Sequence, residues 1–300
     1  MNPDLWSTES WQKSPDAVKQ GSQTIRTCIM EALHENRGAL IGRHGTIELT
    51  CALLMNDGYE VGEDRLKTLE RNAGIFPTES AQIWATEYSV AAALADCMAI
   101  GWYAPLARSE IKYVQRLNPF SHKIPLRSLE PYYCPESSWL HALQGQHVCV
   151  VSSFSNTIET QISKLKDIWN GRDIFPETMQ WSFVRSYYSP VLAKGSCEWP
   201  RGTNSWKDAV DRMEEEVMAT SAKVVLLGCG GLAMPLAVRL KKRGKICIVL
   251  GGAIQILFGI KGKRWEQHPI ISQLFNEFWV YPDVDEVPGG SREIEGGCYW

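Results

Sequence analysis

The chain has 300 residues, 44% of them hydrophobic and 22% charged, with a formal net charge of −3. That length supports a sizeable core in one large or two small domains, and the composition is that of a globular protein. The slightly acidic balance excludes a general nucleic-acid binder. The longest soft apolar run, YSVAAALADCMAIGWY, is interrupted by Asp96 and is too short for a transmembrane segment.

Nine cysteines are scattered without a CxxC pair, and Cys149, Cys229 and Cys247 lie in or beside apolar runs. Free buried thiols in a reducing compartment are therefore expected, rather than disulfides or a zinc site. The start, MNPDLWSTESWQKSPD, holds no stretch of signal-peptide type, so the expected location is the cytoplasm.

In chain order, residues 1–20 read as a loose arm. A first half follows over 21–145. Ile25, Ile29 and Leu33 fall at helical spacing. ALIGRHG reads as a strand running into a glycine turn, and TIELTCALLMNDG as the next helix. ERNAGIFPTE is a polar turn in which Asn72 and Gly74 serve either a sugar pocket or a helix C-cap. A long helix is expected over about 79–100. In NPFSHKIPLRSLEPYYCPESS proline rises and regular structure lapses, which marks a seam.

The second half, 146–300, restarts with the buried strand HVCVVSSF. Ile158, Ile162, Leu165 and Trp169 form one helical stripe. Trp206, Val210, Met213 and Val217 form another. Then comes VVLLGCGGLAMPLAVRLKKRGKICIVLGG, a strand–helix–strand unit. Strands alternating with helices predict an α/β fold, a Rossmann-like parallel sheet with helices on both faces, as one compact catalytic unit. The tail, ending in CYW, is expected to pack back on the body.

Gly228, Gly230 and Ala233 fit G-x-G-x-x-[GA], in which glycines admit a ligand to the backbone and a helix N-terminus faces an anion. Dinucleotide binding also demands an acid at the end of the next strand. That strand ends in Gly251 and Gly252, and no acid occurs between Glu216 and Glu266. Basic residues dominate this span instead. RLKKRGK closes a helix end and suits its dipole. Lys261, Lys263 and Arg264, with two glycines among them, suit either a loop that wraps phosphate or a solvated loop.

Arg43 and Glu48 flank the first glycine turn. Glu48 in the first helical turn is favoured by the dipole alone; alternatively it is a metal or sugar-hydroxyl ligand ordered by Arg43. His44 reads as a turn residue.

Together these segments resemble the type-D glycosyltransferase (GT-D) fold, in particular its uncharacterised bacterial and viral relatives. IGRHGTIE is similar to their R-x-G-x-x-E turn, and NAGIFP to their Asn-Ala-Gly-aromatic-Phe-Pro turn. VCVVSSFSNTIETQ is similar to their central strand and helix, although SSF stands where they carry His-Pro-Phe. LLGCGGLAMPLA, GGAIQILFGIKGKRW and GCYW are similar to their C-terminal blocks. The likeness spans roughly residues 38–300, and GGAIQILFGIKGKRW is its most specific block.

The resemblance implies transfer of a sugar from a nucleotide-diphosphate sugar, usually a UDP-sugar, to a glycan, lipid-linked or protein acceptor, as in polysaccharide synthesis. It also implies Mn2+ or Mg2+ at an Asp-x-Glu motif that falls on Thr46, Ile47 and Glu48. Thr46 replaces the Asp, and the family's later Gly-His falls on Gly251 and Gly252; both departures weigh against a metal. The site expected on this basis places Glu48 and Arg43 in catalysis. Gly45, Thr46, Gly228, Gly230, Gly231, Gly251, Gly252, Gln255, Lys261, Lys263 and Arg264 hold the diphosphate. Asn72 and Trp265 line the sugar pocket, and Asp96 is a second carboxylate for a metal. The competing readings are another nucleotide-cofactor enzyme, an oxidoreductase or methyltransferase, and a non-catalytic sugar-nucleotide-binding module.

Overall fold

A computed structural model describes residues 3–193, 197–294 and 296–300. Seven parallel strands form one sheet: β1 (Ala39–Arg43), β2 (Cys97–Ala99), β3 (His122–Ile124), β4 (His147–Ser152), β5 (Gln180–Arg185), β6 (Val224–Gly228) and β7 (Ile246–Val249). Their spatial order is β3-β2-β1-β7-β6-β4-β5. The chain lays β1 to β3 outward on one side and crosses to β4 and β5 on the other. It then fills the centre with β6 and β7. The two halves of the sequence thus meet at the β1–β7 pair, with Leu40 opposite Cys247 and Ile41 opposite Ile248.

Both faces of the sheet are covered, so the middles of its central strands, Ala39–Ile41, Val148–Val151, Val224–Leu227 and Ile246–Val249, are apolar on both sides. Leu40, Val225, Leu227 and Cys247 point to one core, and Ile41, Leu226, Ile246 and Ile248 to the other. The first core packs against α3 (Thr46–Asn56), α5 (Ala81–Ala93), α6 (Ala107–Leu117), α9 (Trp206–Ala219) and α10 (Ala233–Lys242); the second against α2 (Pro15–His34), α7 (Ser155–Gln161) and α11 (Ala253–Leu257). The stripe Trp206, Val210, Met213 and Val217 is buried as its spacing predicts. The 158–169 stripe is not one helix. A 3-10 turn at Ile162–Lys164 separates α7 from α8 (Leu165–Ile168).

The expected N-terminal arm is instead structured from residue 3, the first two residues lying outside the described ones. Thr8 caps α1 (Glu9–Lys13) and Ser14 caps α2 through their side-chain oxygens. Trp11 and Val18 are buried, and Gln12 donates to Ile100 O at 2.7 Å. The alternation of polar and aromatic residues concealed this anchoring. The helix expected to reach residue 100 stops at Ala93, and Cys97–Ala99 is strand β2.

Gly38, just before β1, lies against the end of α10. A Cβ there would sit 2.0 Å from the Lys241 carbonyl oxygen and 3.0 Å from that of Lys245. Gly38→Ala is expected to cost about 1–3 kcal/mol by forcing backbone apart. Thermal denaturation checks this; an unchanged midpoint would show that the α10 end yields freely.

Candidate active site at the carboxyl edge of the sheet

Because every strand is parallel, all seven carboxyl ends share one edge, where ligands of open α/β sheets bind. A cavity of about 730 Å³ opens there, within the range of about 300–1,000 Å³ for small-molecule sites. Arg43, Gly45, Thr46 and Glu48 reach it from the turn after β1. Gly228 and Gly230 reach it from the end of β6 and the turn after it, Gly251 and Gly252 from the turn after β7, and Gln255 from α11. Glycine turns some 180 residues apart in sequence come together because β7 is hydrogen-bonded to β1 on one side and β6 on the other. Asn72, Arg264 and Trp265 also line the cavity.

Close approach explains two of these glycines. A Cβ on Gly228 would lie 2.4 Å from Ile254 Cγ2, so the β6 end could not abut α11. Gly251 has φ +58°, a left-handed conformation that suits glycine. A Cβ there would meet Arg43 Nη1 at 3.2 Å. Arg43 donates from Nε and Nη2 to the His44 carbonyl, both at 3.3 Å, and stacks 4.8 Å from the Trp102 ring centre.

Glu48 occupies the third position of α3, whose N-cap is Gly45. A Cβ on Gly45 would fall 2.0 Å from Glu48 Oε2, so this carboxylate folds back over the helix start while its residue still lines the cavity. That is the placement favoured by the helix dipole and by the reach-back of a capping box. His44 is more than a turn residue. It is fully buried and its Nδ1 donates to Glu110 Oε1 at 2.8 Å. Gly74, at φ +79°, caps α4 (Glu63–Ala73), while Asn72 accepts from Arg71 Nε at 3.2 Å.

Four expected residues lie elsewhere. Gly231 packs on Ala73 and accepts from Trp84 Nε1 at 2.9 Å. Lys261 is drawn away by the backbone bridge of Ile260 to Val280, and its Nζ sits 5.6 Å from the Phe275 ring. Lys263 opens α12 (Lys263–Glu266) and faces Gly297 of the tail. Gly262 between them serves the tail too, since a Cβ would lie 2.8 Å from the Tyr299 carbonyl oxygen. Of the basic loop only Arg264 turns into the cavity. Asp96 precedes β2, at the opposite edge of the sheet. There it accepts from Leu40 N at 2.7 Å and pairs with Lys241 at 2.7 Å and Arg37 at 3.5 Å. It is a brace between strands and helix end, too far round the fold to join Glu48 on a metal.

The proline-rich seam supplies site residues that the sequence reading missed. Arg127, Glu130, Tyr132 and Tyr133 all line the cavity. Burial pushes the Glu130 carboxyl up to about 7, against the opposing pull of Arg43, Arg127 and Arg264. Their signal was R-x-x-E. Here Arg127 lies in the 3-10 helix Leu126–Leu129 and Glu130 is its C-cap, one turn on. His268 is also on the wall, its pKa lowered by burial and then by Arg127 and Arg264. Its Nδ1 accepts from the backbone of Ile270 and Ile271, which leaves Nε2 to carry the proton. The tail closes one side. Gln255 Nε2 donates to Tyr299 O at 2.7 Å, and Trp300 Nε1 donates to Glu286 O.

Among the described residues no three His, Cys, Asp or Glu side chains group together as metal ligands. Among the described residues the wall holds two acids, Glu48 and Glu130, against Lys13, Arg43, Arg71, Arg127 and Arg264. With one acid turned onto its own helix, this donor set does not fit a divalent ion held by the protein. It fits an anion.

No protein-family model and no curated protein matches the chain. Solved structures do. The chain is similar to domain of unknown function 1792. A selenomethionine-substituted structure of that domain aligns with a TM-score of 0.40 and 12% identity, over 79% of this chain and 82% of that one. A second structure of the domain, described as having a distinct glycosyltransferase fold, aligns with a TM-score of 0.34 and 14% identity, over 79% and 81%. No helix among the described residues is long and apolar enough to cross a membrane.

Proposed function

We propose that the chain is a glycosyltransferase that moves a sugar from a nucleotide-diphosphate sugar, a UDP-sugar, to an acceptor hydroxyl. The observation that carries this reading is one cavity in which three arginines from distant segments surround glycine turns at the β6 and β7 ends. As the sugar departs, its diphosphate gains negative charge. In this reading Arg43 and Arg264, both on the cavity wall, stabilise that charge more in the transition state than in the ground state. Gly228, Gly230, Gly251 and Gly252 let the ligand approach the backbone.

Neutral recognition is provided as well. Gln255 Oε1 and Trp265 Nε1 are buried and without a partner among the described residues, one acceptor and one donor on the wall. Such atoms are normally satisfied, and uracil or sugar hydroxyls offer the matching groups. Glu48 lines the same cavity from the start of α3. Where a dinucleotide enzyme would carry a ribose-binding acid, this chain has Gly251 and Gly252 beside Arg43, which disfavours the oxidoreductase reading.

The test is a panel of UDP-sugars incubated with the protein, with manganese or with a chelator, and read by mass spectrometry of released UDP. Release in the presence of chelator is expected. Protection against thermal unfolding by NAD or S-adenosylmethionine, with none from any UDP-sugar, would overturn the reading.

A further inference from the structure

Two carboxyl groups among the described residues line the cavity, and their surroundings differ. Glu48 lies over Gly45 at the start of α3. Glu130 is held by its backbone at the end of a 3-10 turn, where its N–H donates to Arg127 O at 3.1 Å. Its carboxyl makes no hydrogen bond or ion pair among the described residues. The charged groups facing it are Arg43 from the β1 end, Arg127 one turn back and Arg264 from α12, with Tyr132 and Tyr133 beside it. We infer that Glu130 is the proton acceptor of this site, taking the proton of the attacking hydroxyl while the arginines around it hold the diphosphate. This rests on the proposed glycosyl transfer.

The step balances. The acceptor O–H bond breaks and its proton goes to the Glu130 carboxylate. The acceptor oxygen bonds to the anomeric carbon, and the bond from that carbon to the diphosphate breaks, its electron pair leaving with the diphosphate. A base titrating near the working pH is the most effective in such a role, and burial puts Glu130 there.

The shared arginines add a consequence that needs no acceptor. A bound diphosphate competes with Glu130 for the same positive charge, so it raises the affinity of Glu130 for a proton. Binding therefore takes up a fraction of a proton, and the Glu130 that stays ionised is the form that accepts the hydroxyl proton. Affinity rises as pH falls through the bound-state pKa and levels off below the free-state value of about 7.

UDP binding by calorimetry in buffers of low and high ionisation enthalpy measures this uptake in wild type and Glu130→Gln. The ligand's own titration is common to both and cancels. Uptake of a fraction of a proton is expected in wild type and not in Glu130→Gln, which still binds UDP. With a donor active in the wild type, Glu130→Gln turnover should fall by about 100-fold or more. Glu130→Asp should keep activity with a displaced acid limb, which also covers a Gln variant that does not fold. Equal proton uptake in wild type and Glu130→Gln, or Glu130→Gln turnover within a few-fold of wild type, overturns the inference alone. Wild type that neither binds UDP nor releases it from any donor overturns the proposed function and this inference together.

Discussion

Glu110→Ala is expected to destabilise the protein by about 2–6 kcal/mol, about 1–3 kcal/mol for each of two buried donors left without an acceptor. Glu110 is 1% exposed and accepts two hydrogen bonds, from His44 Nδ1 at 2.8 Å and from Gly101 N at 2.7 Å. Alanine leaves both donors buried without an acceptor. It also opens space beneath Tyr88 and Tyr113, whose rings lie 5.5 and 6.0 Å from that of His44. The damage reaches the site, because His44 stands between Arg43 and Gly45 and its carbonyl accepts from Arg43. Glu110→Gln, which keeps an acceptor oxygen, is expected to lose less. Urea denaturation measures both. A loss below about 1 kcal/mol in the alanine variant would show that water or a neighbour satisfies the stranded groups.

Arg264→Ala is expected to weaken UDP binding by about 1.5–3 kcal/mol, the range for a hydrogen bond to a charged group, or about 10- to 150-fold in Kd. The Arg264 guanidinium lies 4.8 Å from the Trp265 ring centre and 5.0 Å from that of Tyr299, so two aromatic faces orient it at the cavity wall. Lysine would not restore this, since it lacks the planar, stackable fork. Lys263→Ala is the matched control. Its neighbour in sequence removes the same charge outside the cavity, and UDP affinity should stay close to wild type. Equal losses in the two variants, measured by calorimetry, would mean that bulk charge attracts the ligand and that the cavity geometry is irrelevant.

The β1, β6 and β7 turns were readable because each is a local pattern, an apolar run followed by glycines and then a helix. Gly228, Gly251 and Arg43 stand where that pattern places them. The basic loop was only partly readable. Lys261, Lys263 and Arg264 are equally cationic, and the direction of each depends on contacts with Val280, Gly297 and Tyr299, which composition does not contain. Asp96 misled for a similar reason. A helical reading of its small, soft neighbours put it on a helix, whereas the strand pairing of β2 places it at the far edge of the sheet.

The prolines of the seam predict a lapse in regular structure, and that lapse is what lets it serve the site. Without a long helix or strand, residues 126–133 turn tightly enough to bring Arg127 and Glu130 to the same wall.

What the sequence determined by itself is the periodic part: alternating apolar strands and amphipathic helices, glycines where backbone must bend sharply, and the missing ribose acid. These follow from short-range sterics and from the need to bury apolar faces. Only the tertiary structure decided that the last strands to form in sequence order, β6 and β7, enter the middle of the sheet. It alone brought Arg43, Arg127 and Arg264 around Glu130. Charge and burial at a point depend on what the whole chain places there, and no local stretch carries that information.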